Sequence, residues 1–292
     1  MKKLLLTGST GFIGQYFIEE YSIKYNIKTF SFLKDNFREL NLEGINTIVH
    51  LSALVHQMGG ASGEEYEKIN VTQTIELAKK AKVNGVKHFI FMSTVKVYGE
   101  ETNGVYHENS ACNPQDEYGK SKLKAEKELQ KLEDDGFKVS IIRTPIVYGH
   151  VVKANIKNLI SLVKRVPILP FAGIENKRSM VYIGNLCHLV DVVIQKEKSG
   201  IFLASDDEAV STTRFIELIA QNLDKKIILV KIPFFKEILK QTKPSFYKRL
   251  YESLEVDNSY TREILHFENL YSVEEGISLM IKKESNFSKK MK

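Results

Sequence analysis

Lys3-Leu4-Leu5-Leu6-Thr7-Gly8-Ser9-Thr10-Gly11-Phe12-Ile13-Gly14 is the stretch whose reading decides the fold. Behind Met1-Lys2-Lys3 the leucines imitate the start of a signal peptide, but the apolar run stops at Thr7 and no small-residue cleavage site follows. It reads instead as a buried first strand running into a turn with glycines at its first, fourth and seventh positions. Glycine permits a tight turn and a close approach of the backbone to a pyrophosphate, whose charge is favoured by the exposed amides and dipole of the next helix. Such a turn alone is weak evidence. Between the first strand and first helix of an alternating chain it indicates dinucleotide binding.

The alternation is present. Strand signals at Lys3 to Thr7, Thr29 to Leu33, Thr47 to Leu51, Phe89 to Met92 and Val139 to Arg143 are interleaved with helical patterns from about Gly11, over Glu64 to Val83, and from Tyr118. This order predicts a parallel sheet covered on both faces. Thr47-Ile48-Val49-His50-Leu51 and Phe89-Ile90-Phe91-Met92 are nearly all apolar, as doubly covered strands should be. After Gly149 the pattern changes. It gives a helix over about Asn155 to Arg165, the proline-bounded loop Val166 to Pro170, a return strand near Met180 to Tyr182, a helix from Gly184 to about Gln195 and a strand Gly200 to Leu203. Further helices are expected around Thr212 to Leu223, Phe234 to Gln241 and Val273 to Ile281. The expected fold is α/β: a Rossmann-type doubly wound parallel sheet with a smaller, mostly helical C-terminal substrate domain. Residues 1–149 form the dinucleotide-binding part, which 179–203 rejoins, and 150–178 with 204–292 form the substrate part.

The 292 residues are 43% hydrophobic, enough for a sizeable core, and carry a formal charge of +6, mostly dispersed among paired acids and bases. The exception is the end, where Lys282, Lys283, Lys289, Lys290 and Lys292 accompany Glu284. It reads as a frayed terminus, with weak attraction to an anionic membrane surface as the sharper alternative. No transmembrane span and no nucleic-acid recognition motif is present. Cys112 and Cys187 lack metal-ligand spacing, so no metal is expected and a cytoplasmic location is.

Tyr118 and Lys122 stand four residues apart, on the stripe that continues through Ala125, Leu129 and Leu132. Both therefore point inward. An ammonium beside a phenol favours the phenolate and lowers a pKa that starts at about 10, which is chemistry for making or unmaking an alcohol. A surface Tyr/Lys pair at this spacing is common, so the pair gains meaning only from the upstream turn. Met92-Ser93-Thr94 ends the fourth strand with hydroxyls at the mouth of the sheet, where one could hold a substrate oxygen as charge develops on it. At the end of the second strand, Ser31 and Lys34 suit a 2'-phosphate and no carboxylate ends the strand itself. This favours NADPH, with Asp35 near enough to leave NAD open.

Together these motifs resemble the extended short-chain dehydrogenases/reductases of the NAD-dependent epimerase/dehydratase family. The resemblance is carried by the Thr7 to Gly14 loop, His50-Leu51-Ser52-Ala53, Asn70, Ser93-Thr94, Tyr118 with Lys122, and Arg143-Thr144-Pro145-Ile146-Val147-Tyr148-Gly149. It implies Thr94 as the catalytic hydroxyl, Tyr118 as acid/base, and Lys122 as both tuner of Tyr118 and ligand of the nicotinamide ribose. Gly8, Thr10, Gly11, Phe12, Ile13, Gly14, Ser31, Lys34, Leu51, Ser52, Ala53, Asn70, Ser93, Pro145 and Val147 would accompany Tyr118 and Lys122 around the cofactor. In the second half, Asn155, Phe171 to Ser179 and Asn185-Leu186, with Lys96 after the hydroxyl pair, resemble the nucleotide-sugar site of bacterial surface-polysaccharide enzymes. Thr94, Lys96, Asn155 and Arg178 are thus expected on the substrate, Arg178 as a diphosphate clamp. The resemblance also implies a homodimer. The favoured expectation is NADPH-dependent reduction of a UDP-linked 4-keto-6-deoxy-N-acetylhexose. The alternative is a UDP-hexose 4-epimerase retaining NAD, weighed down by the missing strand-end carboxylate and the short chain. A dinucleotide sensor without chemistry is a third reading, opposed by the retained Thr94, Tyr118 and Lys122.

Overall fold

The computed structural model describes residues 1–55, 61–102, 104–150 and 155–290, with backbone alone at 155 and 283–290. The basic end beyond Lys282 thus lies outside the described side chains.

Six strands form one parallel sheet. They are β1 (Lys3–Thr7), β2 (Asn26–Phe30), β3 (Thr47–His50), β4 (His88–Thr94), β6 (Lys138–Thr144) and β10 (Gly200–Leu203), in spatial order β10-β6-β4-β3-β1-β2. The remaining strands pair outside it as short parallel ladders: β5 (Val105–Tyr106) with β12 (Glu255–Val256), β7 (Ile146–Tyr148) with β9 (Met180–Tyr182), and β8 (Ile168–Leu169) with β11 (Ile228–Leu229). Successive strand residues point to opposite faces, so the two sides bury alternate side chains. Leu4, Leu6, Val49, Ile90, Met92 and Ile142 enter one core. Leu5, Ile48, Phe89, Phe91 and Ile141 enter the other, against Leu77, Ala81, Ala125 and Leu129. The first core is covered by α1 (Phe12–Tyr21) and α6 (Ile183–Lys196), the second by α3 (Gln73–Val83) and α4 (Glu117–Gln130). From β1 the chain winds outward to β2 and then returns past β1 to β3. This reversal leaves a crevice at the carboxyl ends of the strands.

Three expectations need correction. The second strand lies at Asn26–Phe30, not Thr29 to Leu33, because it pairs in register with Lys3–Thr7 and then turns at once. Its mostly exposed edge position explains why polar Asn26 and Lys28 hid it. The return strand Met180–Tyr182 pairs with β7, not with the main sheet. The long helix runs from α2 (Gly63–Tyr66) into α3, but Glu67–Thr72 between them widens into a π turn. Ser62 and Glu65 close its start reciprocally as a capping box.

Beyond the sheet, α5 (Asn155–Arg165), α7 (Thr212–Asn222), α8 (Phe235–Thr242), α9 (Pro244–Tyr251), α10 (Ser259–Leu265) and α11 (Val273–Lys290) gather around the C-terminal half. Arg178 is pinned there on both sides, by backbone bridges to Val210 and Leu254.

Candidate active site

The glycine turn has the form the sequence implies. Gly8 adopts φ +70°, and a Cβ there would lie 2.8 Å from the Leu51 carbonyl carbon and the Ser52 nitrogen. A Cβ on Gly14 would stand 2.3 Å from the Gly8 oxygen. Only glycine lets strand, turn and helix close this tightly. Gly11 caps α1 without any side-chain hydrogen bond, so the first amides of the helix stay open to an anion. A dinucleotide pyrophosphate fits this cradle.

Behind the turn runs a buried hydrogen-bond chain. The Ser52 amide donates to Thr7 Oγ1 at 3.2 Å, and Thr7 Oγ1 lies 2.8 Å from His50 Nδ1. His50 Nε2 lies 3.0 Å from Thr74 Oγ1, which donates to the Asn70 carbonyl. Because the Thr74 hydroxyl proton is given to Asn70, His50 must donate through Nε2 and accept at Nδ1. Burial, with Lys122 nearby, holds its pKa down to about 3, so it stays neutral. The Asn70 side chain, on the π turn, accepts from the Leu54 amide at 2.7 Å and donates to the Leu54 carbonyl and to Ser121 Oγ, both at 3.0 Å. Expected at the cofactor, Asn70 instead has its amide engaged by protein, stitching the loop after β3 to α4. An inserted π turn is a recurrent device at functional sites.

A cleft of about 580 Å³ opens at the carboxyl ends of the strands. It brings together Ile13, Leu51, Ala53, Ser93, Thr94, Lys96, Tyr118, Lys122, Pro145, Val147 and Arg178 from the sequence reading. Thr94 ends β4, with its Oγ1 accepting from the Lys96 amide at 3.3 Å. Asp116 caps α4 by accepting from the Gly119 amide at 2.7 Å, setting Tyr118 in the first turn. Among the described residues nothing hydrogen-bonds the Tyr118 hydroxyl, and its ring packs 6.3 Å from that of Tyr66.

The structure does not show the expected phenol–ammonium coupling. Lys122, 2% exposed, donates to the Met92 carbonyl at 2.8 Å and lies 4.4 Å from the Phe91 ring centre. Burial brings its pKa down to about 7, opposed by Glu126 one turn on. Burial, then Asp116 and Tyr66, raise that of Tyr118. Lys122 therefore leaves Tyr118 protonated here.

Ser93, also expected at the cofactor, donates its hydroxyl to Glu126. Glu126 in turn holds Arg143 at 2.6 Å, both side chains almost wholly buried. Arg143 further donates to the Glu108 carbonyl at 3.3 Å and stacks 4.7 Å over Tyr98. This ion pair locks the end of β4 to α4 and β6, and sequence reasoning missed it. The signal was available: Glu126 lies four residues after Lys122 on the apolar stripe, where an acid needs a buried partner.

Of the substrate residues, Lys96 is braced by Asp116 at 2.5 Å and Glu100 at 3.1 Å, which neutralise its charge at the cleft wall. Arg178 donates to the Glu252 and Lys248 carbonyls at 2.9 and 3.4 Å. Burial lowers its pKa despite Glu252, so a bound anion would relieve its charge. Lys248 and Arg249, which sequence reasoning did not single out, join it in the cleft. Asn155 begins α5, and its side chain lies outside the described residues. At the end of β2, Ser31 supplies its carbonyl to the Lys34 and Asp35 amides, and the Asp35 carboxylate accepts from the Ser31 amide at 2.8 Å. A carboxylate therefore does return to the strand end. Lys34 is exposed.

Residues 4–203 match the model of the NAD dependent epimerase/dehydratase family. A UDP-glucose 4-epimerase of Vibrio cholerae is 37% identical over 94% of this chain and 93% of its own length. An N-acetyl-alpha-D-glucosaminyl-diphospho-ditrans,octacis-undecaprenol 4-epimerase of Escherichia coli O157:H7 is 26% identical over 79% of this chain and 75% of its own. Among solved structures, a UDP-N-acetylglucosamine 4-epimerase from Bacillus cereus superposes with a TM-score of 0.79 at 20% identity, covering 97% and 99% of the two chains. A UDP-glucuronic acid 4-epimerase from Bacillus cereus in complex with NAD gives 0.78 at 18% identity, over 98% and 99%. The parallel sheet agrees with these matches: the chain belongs to the NAD-dependent epimerase/dehydratase family and is an enzyme acting on nucleotide sugars.

Proposed function

We propose that the protein is an NAD-dependent 4-epimerase of a UDP-linked hexose, with residues 150–178 and 204–292 serving the sugar-nucleotide side. The reading rests on the meeting of Thr94, Tyr118 and Lys122 in one cleft between the glycine cradle and the cations Arg178, Lys248 and Arg249. It takes precedence over the reductase expectation for three reasons. A 4-epimerase is the 37% identical relative; this chain spans 93% of that relative, so its length no longer argues against epimerisation; and Asp35 at the end of β2 suits the ribose hydroxyls of NAD.

NAD, held by Gly8, Gly11, Gly14, Leu51 and Ala53 on one side and by Pro145 and Val147 on the other, would supply reversible oxidation at the sugar C4. The chain's own residues do the rest. Lys122, together with bound NAD, would favour the Tyr118 phenolate, and as phenolate Tyr118 takes the proton of the C4 hydroxyl as that carbon is oxidised and returns it to the same oxygen after the sugar has presented its other face. Thr94 holds that oxygen through both half-reactions. Arg178, Lys248 and Arg249 grip the diphosphate while the sugar turns.

Incubation with UDP-glucose or UDP-N-acetylglucosamine, without added cofactor, should give the C4 epimer. Tyr118→Phe should lower turnover by roughly 10²- to 10⁴-fold while dinucleotide affinity survives. No interconversion, together with NADPH oxidation on a UDP-4-keto sugar, would restore the reductase; unchanged turnover in the variant would remove Tyr118 from the chemistry.

A further inference from the structure

Residues 225–249 carry seven lysines and one arginine against a single acid, Glu237, a net charge of +7 where the whole chain has +6. The same segment exposes large apolar side chains: Phe234 at 75%, Ile238 at 56%, Ile232 at 51% and Phe246 at 42%. Single exposed apolar residues are ordinary, but several on one short basic segment mark a binding surface. The hairpin α8–α9 anchors itself by Leu239, Tyr247 and Leu250, with Lys236 and Lys240 over the Tyr251 and Tyr247 rings at 5.9 and 5.7 Å. Phe234, just before α8, is held at φ +60°, a conformation strained for a bulky residue, with its ring left in solvent.

We infer that α8–α9, with the approach from Lys225, is a docking element for an anionic phospholipid surface. Charge complementarity selects this occupant. Lysines meet lipid phosphates as mobile point charges, while Phe234, Ile238 and Ile232 reach the boundary of the acyl chains. A nucleic acid would call for arginine forks and stacking platforms, and one arginine among eight cations does not supply them. α8 has eight residues, about 12 Å of helix, so it lies in the interface and does not span a bilayer. Because α9 also lends Lys248 and Arg249 to the cleft, docking sets the cleft mouth beside the headgroups. This binding is independent of the sugar chemistry.

The test is sedimentation of the full chain with vesicles of equimolar phosphatidylcholine and phosphatidylglycerol, against phosphatidylcholine alone, at low and high salt. Binding should need phosphatidylglycerol and weaken as salt rises. Lys236→Gln with Lys240→Gln should weaken it about 25-fold, from roughly fivefold per charge. Phe234→Ser with Ile238→Ser should weaken it on the order of tenfold, with turnover of a soluble UDP-sugar unchanged. Equal affinity for both vesicle types, no binding at low salt, or native binding by both double variants overturns the inference. A fall in the native particle's mass by light scattering in the Phe234/Ile238 variant, with vesicle binding intact, would make this face a self-association surface and overturn it too.

Discussion

Lys122→Met should make the dinucleotide-free protein more stable and inactive at once. The native protein releases the Lys122 proton near pH 7, whereas the unfolded chain keeps its own to about 10.5. Between these values the unfolded state binds more protons, so native stability rises with pH across that window. The cost of the buried charge is greatest at pH 7 and below and vanishes above 10.5. It amounts to roughly 4 to 5 kcal/mol at pH 6.5 and roughly 2 at pH 9. Methionine fills similar space without the charge but forfeits the bond to the Met92 carbonyl, worth about 1 kcal/mol. The expected gain is therefore about 3 to 4 kcal/mol at pH 6.5, shrinking to about 1 at pH 9. Urea denaturation of both proteins at the two pH values, stripped of dinucleotide, reads the difference directly, and other titrating groups cancel in it. A variant less stable than the native protein at pH 6.5, or a difference that does not change with pH, would refute the reasoning.

Glu126→Gln leaves Arg143 buried without its countercharge and should cost about 3 to 5 kcal/mol in urea denaturation; a loss below about 1 would show that the pair is not felt as buried. Gly8→Ala forces a Cβ against Leu51 and Ser52 at positive φ, and should weaken NAD binding at least about tenfold in a fluorescence titration. Acidification offers a third check. Burial lowers the pKa of His50 to about 3 and of His88 to about 4, so both stay neutral in the native protein while the unfolded chain takes up protons below about 6.5. Stability should fall by roughly 3 kcal/mol for each as pH drops from 6.5 toward 4, and His88→Gln should remove one share of that slope.

The sheet was legible because strands buried on both faces have little choice but to be apolar: Ile48, Val49, Phe89 and Phe91 announce themselves. Strand β2 was misplaced by three residues because an edge strand tolerates Asn26 and Lys28, and its pairing with β1 is a tertiary fact. The inward direction of Tyr118 and Lys122 followed from helical spacing, but their protonation did not. Spacing says that two side chains share a face, not that Lys122 turns to the Met92 carbonyl and leaves the phenol alone. Ser93, in the cleft wall, and Asn70, on the π turn, show the same limit, since each has its side chain given to a protein partner. Asp35 left NAD open in the sequence but does not end the strand there; β2 stops at Phe30, five residues earlier, and the turn at Ser31 brings the carboxylate back to the strand end.

The position of β10 has a consequence for synthesis. The sheet's outer edge at β6 is finished only when Gly200–Leu203 arrives, long after Thr144 has left the ribosome. At ordinary elongation rates this delay lasts roughly three to eleven seconds. Throughout it, a ribbon containing Val139, Ile141 and Ile142 has one row of backbone donors and acceptors bare, an invitation to a neighbouring nascent chain. Crowded translation should therefore be most hazardous to this protein in that interval, and a pause placed just before residue 200 should lower its soluble yield more than one placed after it.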